Sequence, residues 1–506
     1  MKILNSVLGW AMQKRMHQIE LFMKFPHQVQ EELLERLVTT ARHTEWGKKY
    51  DFSSIKNLDE FKNRIPIQDY ESLRPDILRI KHGEQNILWP TEIKWFAKSS
   101  GTTSDKSKFI PVSKEALEDC HYKGGKDMLA LYYGKYPESM LYSGKALVLG
   151  GSSEINQFSK GSYYGDLSSI IIKNLPYWAE YVRIPSKETA LHPKWEEKIE
   201  KVARESMKED VTNITGVPTW LILLMKRILE ISGKSNMLEV WPNMELYIHG
   251  GVSFTPYQST FKNFFPSDQV TYLETYNASE GFFGIQDQFT NNPNKEMLLM
   301  LDYGIYYEFM PIEELGKENP KTLTLYDVEL GENYAIIITT NGGLWRYMIG
   351  DTVKFTSTDP FRIIVSGRTK YYINAFGEEV IADNTDKAVA HACEKTNAVV
   401  KEYSVAPIYL NNKDKGAHEW VIEFDKEPES IEFFNHSLDN FLKAINSDYE
   451  AKRYQDLALT APKIHIAPEG TFYLWLKERG KLGGQHKVPR LSNNRDVMDS
   501  LLKLIK

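Results

Sequence analysis

Apolar residues at helical spacing open the chain. Val29, Leu33, Leu37 and Ala41 fall on one stripe, and Gly47 stands where the helix is expected to end. From about residue 60 to 360 the pattern alternates: helical segments such as Trp220 to Ile231 are interleaved with β-branched runs such as Ala146 to Leu149 and Ala335 to Thr340, which predicts α/β layers. Within this stretch NYAIIITTNGGLWRYMIGDTVKF predicts a hairpin. One strand runs to Thr340, a turn follows at Asn341, Gly342 and Gly343, and a second strand reaches Gly350, which leaves Asp351 at a strand end. Beyond FRIIVSGRTKYYINAFGEEV come a helical stretch over about 380–395, two β-rich runs around the polar turn NNKDKG, a helix near 430–446 and a short strand at Ile464 to Ile466. The division expected is therefore a large α/β domain over 1–366, with a helical N-terminal segment, and a smaller α+β domain over 367–506.

A chain of 506 residues has ample length for two or more cores. The balance of 62 Lys plus Arg against 68 Asp plus Glu gives a net charge of −6, which argues against nucleic acid as a partner but leaves a local phosphate site open. Cys120 and Cys393 are the two cysteines, so a four-cysteine zinc site is excluded, and both are assigned to packing as thiols of a reducing cytoplasm. No apolar run approaches the ~20 residues of a membrane helix; the best, Trp220 to Met225, stops at Lys226 and Arg227. No membrane span, internal repeat or obligatory protein partner is expected.

Five segments carry candidate chemistry. SSGTTSDKSK, Ser99 to Lys108, clusters hydroxyls around Gly101, where backbone can approach an anion closely. LYIHGGVSF puts Gly250 and Gly251 after an expected strand, with backbone open to a planar ligand. ETYNASEG places Tyr276 four residues before Glu280, which adjoins Ser279: an aromatic face to stack on a base and a carboxylate to hold Mg²⁺. WRYMIGD offers the two acceptor oxygens of Asp351 to the hydroxyls of a ribose. SGRTKYYINAFGEEV joins the two domains and carries Arg368 and Lys370. Taken singly, each also reads as an ordinary solvated turn, a tight glycine turn, a core aromatic or an exposed charge.

In this order the five segments resemble the acyl-adenylate-forming enzymes. Over nearly its whole length the chain resembles one branch of them, the auxin-responsive (Gretchen-Hagen-type) acyl acid amido synthetases, with HTEWGKKYDF, FKNRIPIQDYESL, TGVPTW and GGQHKVPR as further matching stretches. The resemblance implies a large multi-layer N-terminal adenylating domain and a smaller, mobile C-terminal one. It implies an ATP- and Mg²⁺-dependent ligase that adenylates a carboxylic acid and passes the acyl group to an amino acid amine, releasing AMP and pyrophosphate. Carried over by position, Ser99, Ser100, Gly101, Thr102, Thr103 and Lys108 form the ATP phosphate loop. Gly250, Gly251 and Val252 border the adenine, Tyr276 stacks on it beside Ser279, Glu280 is the magnesium ligand, Asp351 binds the ribose, Arg368 lies near ribose and phosphate, and Lys370 is the hinge. Asp105 stands where the family commonly has glycine, so its carboxylate must point away from the phosphates. Gly480 and Lys481 mimic the catalytic Gly-Lys pair of the wider superfamily, whereas the amido synthetase pattern points to Lys487. His249 and His486 match no family role and read as structural.

An acyl-CoA ligase, which shares the first half-reaction, and a nucleotide-binding regulatory protein without turnover remain as alternatives. The acid is not identified. Tyr163, Tyr164, Tyr177, Trp178 and Trp220 suggest an aromatic or apolar acyl group, and core packing explains them equally well.

Overall fold

The computed structural model describes residues 2–99, 108–150, 155–159, 161–192, 195–251, 254, 257–289, 296–369, 372–373, 378, 380–408, 416–446, 449–450, 453, 459–481, 488–492 and 495–505. They divide into two compact units, one of Met1–Gly251 with Phe265–Ile364 and the other of Val252–Phe264 with Val365–Lys506. The short segment Val252–Phe264 thus interrupts the first unit in sequence while belonging to the second, which no composition shift announces.

The N-terminal stripe folds as two helices, Lys2–Lys24 and Pro26–Ala41. Pro26 sits in the first turn of the second helix, where its missing N–H costs nothing. Leu33, Leu37 and Ala41 are buried as the spacing predicts. Gly47, however, does not end this helix, which stops at Ala41. Gly47 lies inside a short helix, Glu45–Lys49, whose cap Thr44 accepts from the Gly47 amide at 2.9 Å. A β-carbon on Gly47 would fall 2.2 Å from the Ala41 carbonyl oxygen, so close packing rather than termination demands glycine. Arg15 fastens the first helix to the body, giving two bonds to the buried Asp127 (2.7 and 2.8 Å) and others to Asp302.

The first unit is built on strands β1 (Trp95–Ser99), β2 (Lys108–Val112), β3 (Lys145–Leu149), β4 (Asn156–Ser159), β5 (Ser162–Gly165), β6 (Arg183–Ile184), β7 (Val211–Gly216), β8 (Leu246–Gly250), β9 (Thr271–Ala278), β10 (Gly281–Ile285), β11 (Met297–Leu299), β12 (Ile305–Pro311), β13 (Asn333–Thr340), β14 (Tyr347–Thr358) and β15 (Phe361–Arg368). Four of them form a small sheet in the order β2-β1-β5-β4. The other eleven form one sheet in the order β12-β13-β14-β15-β11-β10-β9-β8-β7-β3-β6. This large sheet changes character at β9. From β6 to β9 neighbouring strands are parallel, and from β9 through β11 they turn antiparallel. Helical segments cross over between the parallel strands, and hairpins link β9 with β10 and β13 with β14, so the alternating and the β-rich stretches of sequence occupy different halves of one sheet.

A buried ion pair locks the antiparallel half. Arg346, held at φ +45° between β13 and β14, donates through Nε and Nη2 to Glu308 on β12 (2.9 and 2.8 Å) and through Nη1 to the carbonyls of Lys62 and Ile65. Arg346 is 5% exposed and Glu308 1%. One side chain thereby closes a hairpin and satisfies the end of the helix Leu58–Arg64.

The second unit contains a three-stranded sheet, β18 (Val399–Ile408), β19 (Ala417–Lys426) and β20 (Lys463–Ala467), in that order, after the short pair β16 (Tyr372–Ile373) and β17 (Val380–Ile381). Alternation along β19 sends Trp420, Ile422 and Phe424 to one face, where helices Ala382–Thr396 and Ile431–Ile445 pack. Val421 goes to the other, against helices Thr471–Glu478 and Asp496–Ile505.

Arg346→Ala should lower the unfolding free energy by about 3–5 kcal/mol, because it leaves the Glu308 carboxylate buried without its guanidinium. Urea denaturation followed by tryptophan fluorescence measures this; a loss under about 1 kcal/mol would mean that Lys62 and Thr322 suffice to hold Glu308.

Candidate active site

Ligands of open α/β sheets gather outside the carboxyl ends of parallel strands. Here that edge is made by Leu149, Gly216, Gly250 and Ala278, the last residues of β3, β7, β8 and β9. Gly250 pairs with Thr275, and a β-carbon on Gly250 would fall 2.4 Å from the Thr275 carbonyl oxygen. Backbone thus forms the wall at the point where Tyr276 follows.

β9 and β10 close a hairpin whose two-residue tip is Ser279 and Glu280. Asn277 faces Phe282 but Tyr276 faces Gly284, so Phe283 is an extra residue opposite the tyrosine. The Phe283 ring lies 4.8 Å from the Tyr276 ring, tilted by 50°. Tyr276 is buried, and its hydroxyl donates to Asp351 Oδ2 at 2.7 Å. The sequence spacing gave no sign of this contact across 75 residues.

Asp351 itself is placed differently from expectation. β14 does not stop at Gly350 but runs on to Thr358, so Asp351 is not at a strand end. Instead, Ala335 pairs with Thr352 and Ile337 with Met348, so Ile349, Gly350 and Asp351 face the single residue Ile336. Gly350 takes φ +94°. This bulge, with two extra residues, releases Asp351 from the ladder and re-aims its carboxylate. The glycine read as a turn signal therefore serves a bulge, which has the same residue requirement.

Ser279 Oγ is buried and has no hydrogen-bond partner among the described residues. It sits at the hairpin tip, three residues after Tyr276. Glu280 next to it is half-buried. Ser99 ends β1 and pairs with Lys108, which opens β2. Lys108 Nζ lies 5.7 Å from the Tyr70 ring, and Tyr70 Oη accepts from the Phe109 amide at 2.9 Å. Ser100, Gly101, Thr102, Thr103, Asp105, Val252, Lys370, His486 and Lys487 lie outside the described residues.

Arg368 ends β15 and belongs to the second unit. Lys481 has a structural explanation. The Gly480 amide donates to Lys477 O and the Lys481 amide to Leu476 O (3.0 and 2.9 Å), with Gly480 at φ +61°. This pair of bonds is the closure that ends a helix with glycine, so the Gly-Lys pair caps Thr471–Glu478. His249 is buried in β8, 5.2 Å from the Tyr247 ring. Both cysteines are free. Burial pushes the Cys120 thiol up to about 12, and its sulfur accepts from the Phe282 amide; Cys393 is pushed up to about 11. Neither is a nucleophile at neutral pH. Tyr164 stacks on Phe158 at 3.9 Å, Tyr163 lies 5.3 Å from Trp95, and Trp220 is buried, so all three pack; the side chains of Tyr177 and Trp178 lie outside the described residues.

No group of three or more His, Cys, Asp or Glu stands close enough to enclose a metal among the described residues. Magnesium in phosphate-transfer sites is held by one or two carboxylates together with substrate oxygens, and the single Glu280 carboxylate fits that mode.

Family models match most of the chain: the GH3 family N-terminal domain over 15–270, the central domain over 298–368 and the C-terminal domain over 383–496. The chain belongs to the GH3 family. It is 22% identical to indole-3-acetic acid-amido synthetase GH3.3 of Arabidopsis thaliana over 94% of this chain and 90% of that protein. With jasmonoyl–L-amino acid synthetase JAR4 of Nicotiana attenuata the identity is 24%, over 94% and 92%. Among solved structures, GH3.15 acyl acid amido synthetase superposes with a TM-score of 0.80 at 17% identity, covering 97% of this chain and 95% of that one. The GH3 fold is thus the fold of this chain, a large N-terminal and a smaller C-terminal domain of the adenylating type.

Tyr276→Phe keeps the ring and removes the donor to Asp351. It should cost about 1–3 kcal/mol of stability in urea denaturation, the usual cost of leaving a buried carboxylate short of one bond. An unchanged midpoint would show that another group replaces the hydroxyl.

Proposed function

We propose that this GH3 protein is an ATP-dependent acyl acid amido synthetase. It joins a carboxylic acid to ATP as an acyl-adenylate, releasing pyrophosphate, and then transfers the acyl group to the amine of an amino acid, releasing AMP. The observation that carries this reading is the Tyr276–Asp351 hydrogen bond, which places an aromatic and a carboxylate side by side next to the glycine edge of β8 in a chain whose relatives bear amido synthetase names.

In this reading Gly250, Gly251 and Val252 border the adenine, Tyr276 stacks on it, and Asp351, steadied by the tyrosine hydroxyl, accepts from the ribose hydroxyls. Ser99, Ser100, Gly101, Thr102 and Thr103 present amides and hydroxyls to the phosphates, and Lys108 and Arg368 supply positive charge. Ser279 gives its unpartnered hydroxyl to a nucleotide oxygen. Glu280 holds Mg²⁺, which when bound neutralises phosphate charge. Lys487 meets the charge that develops as the acid carboxylate attacks the α-phosphorus, the Gly480–Lys481 pair being accounted for as a helix cap. The amine then attacks the adenylate carbonyl: a carbon–nitrogen bond forms, the bond to the AMP oxygen breaks, and the amine loses a proton. No enzyme nucleophile takes part, so catalysis consists of positioning and charge neutralisation. Turning about Lys370 would let one site serve both half-reactions. The acid is apolar or aromatic, by analogy with the indole-3-acetic and jasmonic acids named for the relatives. Two free thiols, one buried and one half-buried, suit the cytoplasm, and no helix among the described residues is long and apolar enough to cross a membrane.

An ATP–pyrophosphate exchange screen over aryl, indolyl and fatty carboxylates, followed by the twenty amino acids and coenzyme A offered separately, tests this by mass spectrometry. Exchange with one acid and an amide with at least one amino acid are expected. A thioester without any amide would move the protein to the acyl-CoA ligases, and no exchange in ATP-binding protein would leave a regulatory role. Glu280→Gln should slow magnesium-dependent exchange by ~10²-fold or more while the thermal transition stays in place; parent rates across a magnesium titration would remove Glu280 from the metal site.

A further inference from the structure

Positive charge collects on one face of the small sheet. Tyr70, Arg74, Ile77 and Lys81 fall on a single stripe of the helix Tyr70–Lys81. At one end of that stripe Tyr70 Oη accepts from the Phe109 amide of β2 at 2.9 Å. At the other the Lys81 ammonium lies 3.6 Å from the centre of the Phe158 ring of β4 and 4.2 Å from that of Phe109. These two rings meet edge to face at 4.9 Å, and Tyr164 of β5 stacks on Phe158 at 3.9 Å, so the cation sits among three aromatic side chains. Lys98 of β1 is the residue directly opposite Phe109 in the ladder. Opposed residues share a face, which puts a second lysine on the side of the sheet that holds Lys81.

Aromatic faces attract an ammonium group but give its three N–H donors no oxygen to bond. Among the described residues neither Lys81 nor Lys98 makes an ion pair or a hydrogen bond through its ammonium. Burial pushes Lys81 below the usual lysine range, Arg74 adds to the push with a second positive charge, and no carboxylate acts against them. Arg74 has a partner of its own, Glu71 at 3.1 Å, whose side chain is 62% exposed. A half-buried cation costs free energy until something negative joins it. With 68 Asp and Glu to draw on, the chain sets none of those described beside Lys81, so the anion that completes the cluster comes from outside.

The Lys98–Phe109 pair stands next in the ladder to Ser99–Lys108, the end that the reading above brings to the phosphates of ATP. We propose that Lys81 and Lys98 bind the pyrophosphate that adenylation releases. This rests on the activity proposed above. As the acid oxygen bonds to the α-phosphorus, the bond from that phosphorus to the β-bridging oxygen breaks, and its electron pair leaves with pyrophosphate. Two ammonium groups on flexible stems match the charge so gained, and the rings around Lys81 keep the stem in place.

Lys81→Met retains the stem among the rings and removes the charge, so the fold is expected to survive. In ATP–pyrophosphate exchange the KM for pyrophosphate should rise about tenfold, the equivalent of one hydrogen bond to a charged group. The KM for the acid and the aminolysis of a synthetic acyl-adenylate should stay within about twofold of the parent. Lysine footprinting of the full-length parent with acetic anhydride, read by mass spectrometry, needs no turnover. Saturating inorganic pyrophosphate should slow acetylation of Lys81 and Lys98 by about fivefold or more and leave that of the exposed Lys317 unchanged. Unslowed acetylation of Lys81, equal protection by sulfate at the same ionic strength, or an unchanged KM for pyrophosphate in the variant would overturn the proposal. Failure of the parent to catalyse exchange with any acid would count against the activity alone, because the footprint reports the site without it.

Discussion

A regular strand ladder points every side chain up or down, and the candidate site needs a carboxylate that does neither. The structure meets this constraint with two bulges, one putting Phe283 opposite Tyr276 and the other setting three residues of β14 against Ile336. The Tyr276 hydroxyl then fixes Asp351 at 2.7 Å. Remove the extra residue at Phe283 and a one-residue slip would send the tyrosine to the opposite face of the sheet. The register of β9–β10 and of β13–β14, and through them the junction between the parallel and antiparallel halves, is consistent only with this pairing.

The surrounding fold is the scaffold that such a constraint requires. Parallel strands from β6 to β9 give an edge at which backbone can approach a ligand, and the antiparallel half supplies Asp351 from a strand four places from β9. The buried Arg346–Glu308 pair stands behind that half, joining β12 to the hairpin that carries Asp351. Core packing fixes volumes and tolerates exchange of one apolar residue for another, whereas a bulge or a buried ion pair does not.

What the sequence made legible follows from which signals are local. Periodicity located the helices at Pro26–Ala41, Ala382–Thr396 and Ile431–Ile445 and the strands flanking NNKDKG, because burial of one face leaves its mark every two or every three to four residues. The order of the five motifs carried the family. Glycine was the weak letter. Gly47 and Gly350 were both read as stops, and both are there for other reasons, a close approach to Ala41 and a bulge before Asp351. Tyr276 meeting Asp351, and Tyr257 joining the C-terminal unit, left no mark on their neighbours in sequence, since a single hydroxyl reaching a single partner imposes no period.

The discontinuity of the second unit has a consequence for biosynthesis. Tyr257 leaves the ribosome 233 residues before Arg490. At ~5–20 residues per second, roughly ten seconds to most of a minute separates the two. The first unit gains strands β9 to β15 only in the first half of that interval, and the segment Val252–Phe264 waits longer still for the rest of the unit to which it belongs. Its core-facing tyrosine and phenylalanines form a transient apolar loop on a nascent chain, the kind of surface that chaperones bind. Vectorial synthesis therefore leaves Tyr257 without its Arg490 partner until the last stretch of the chain has been translated.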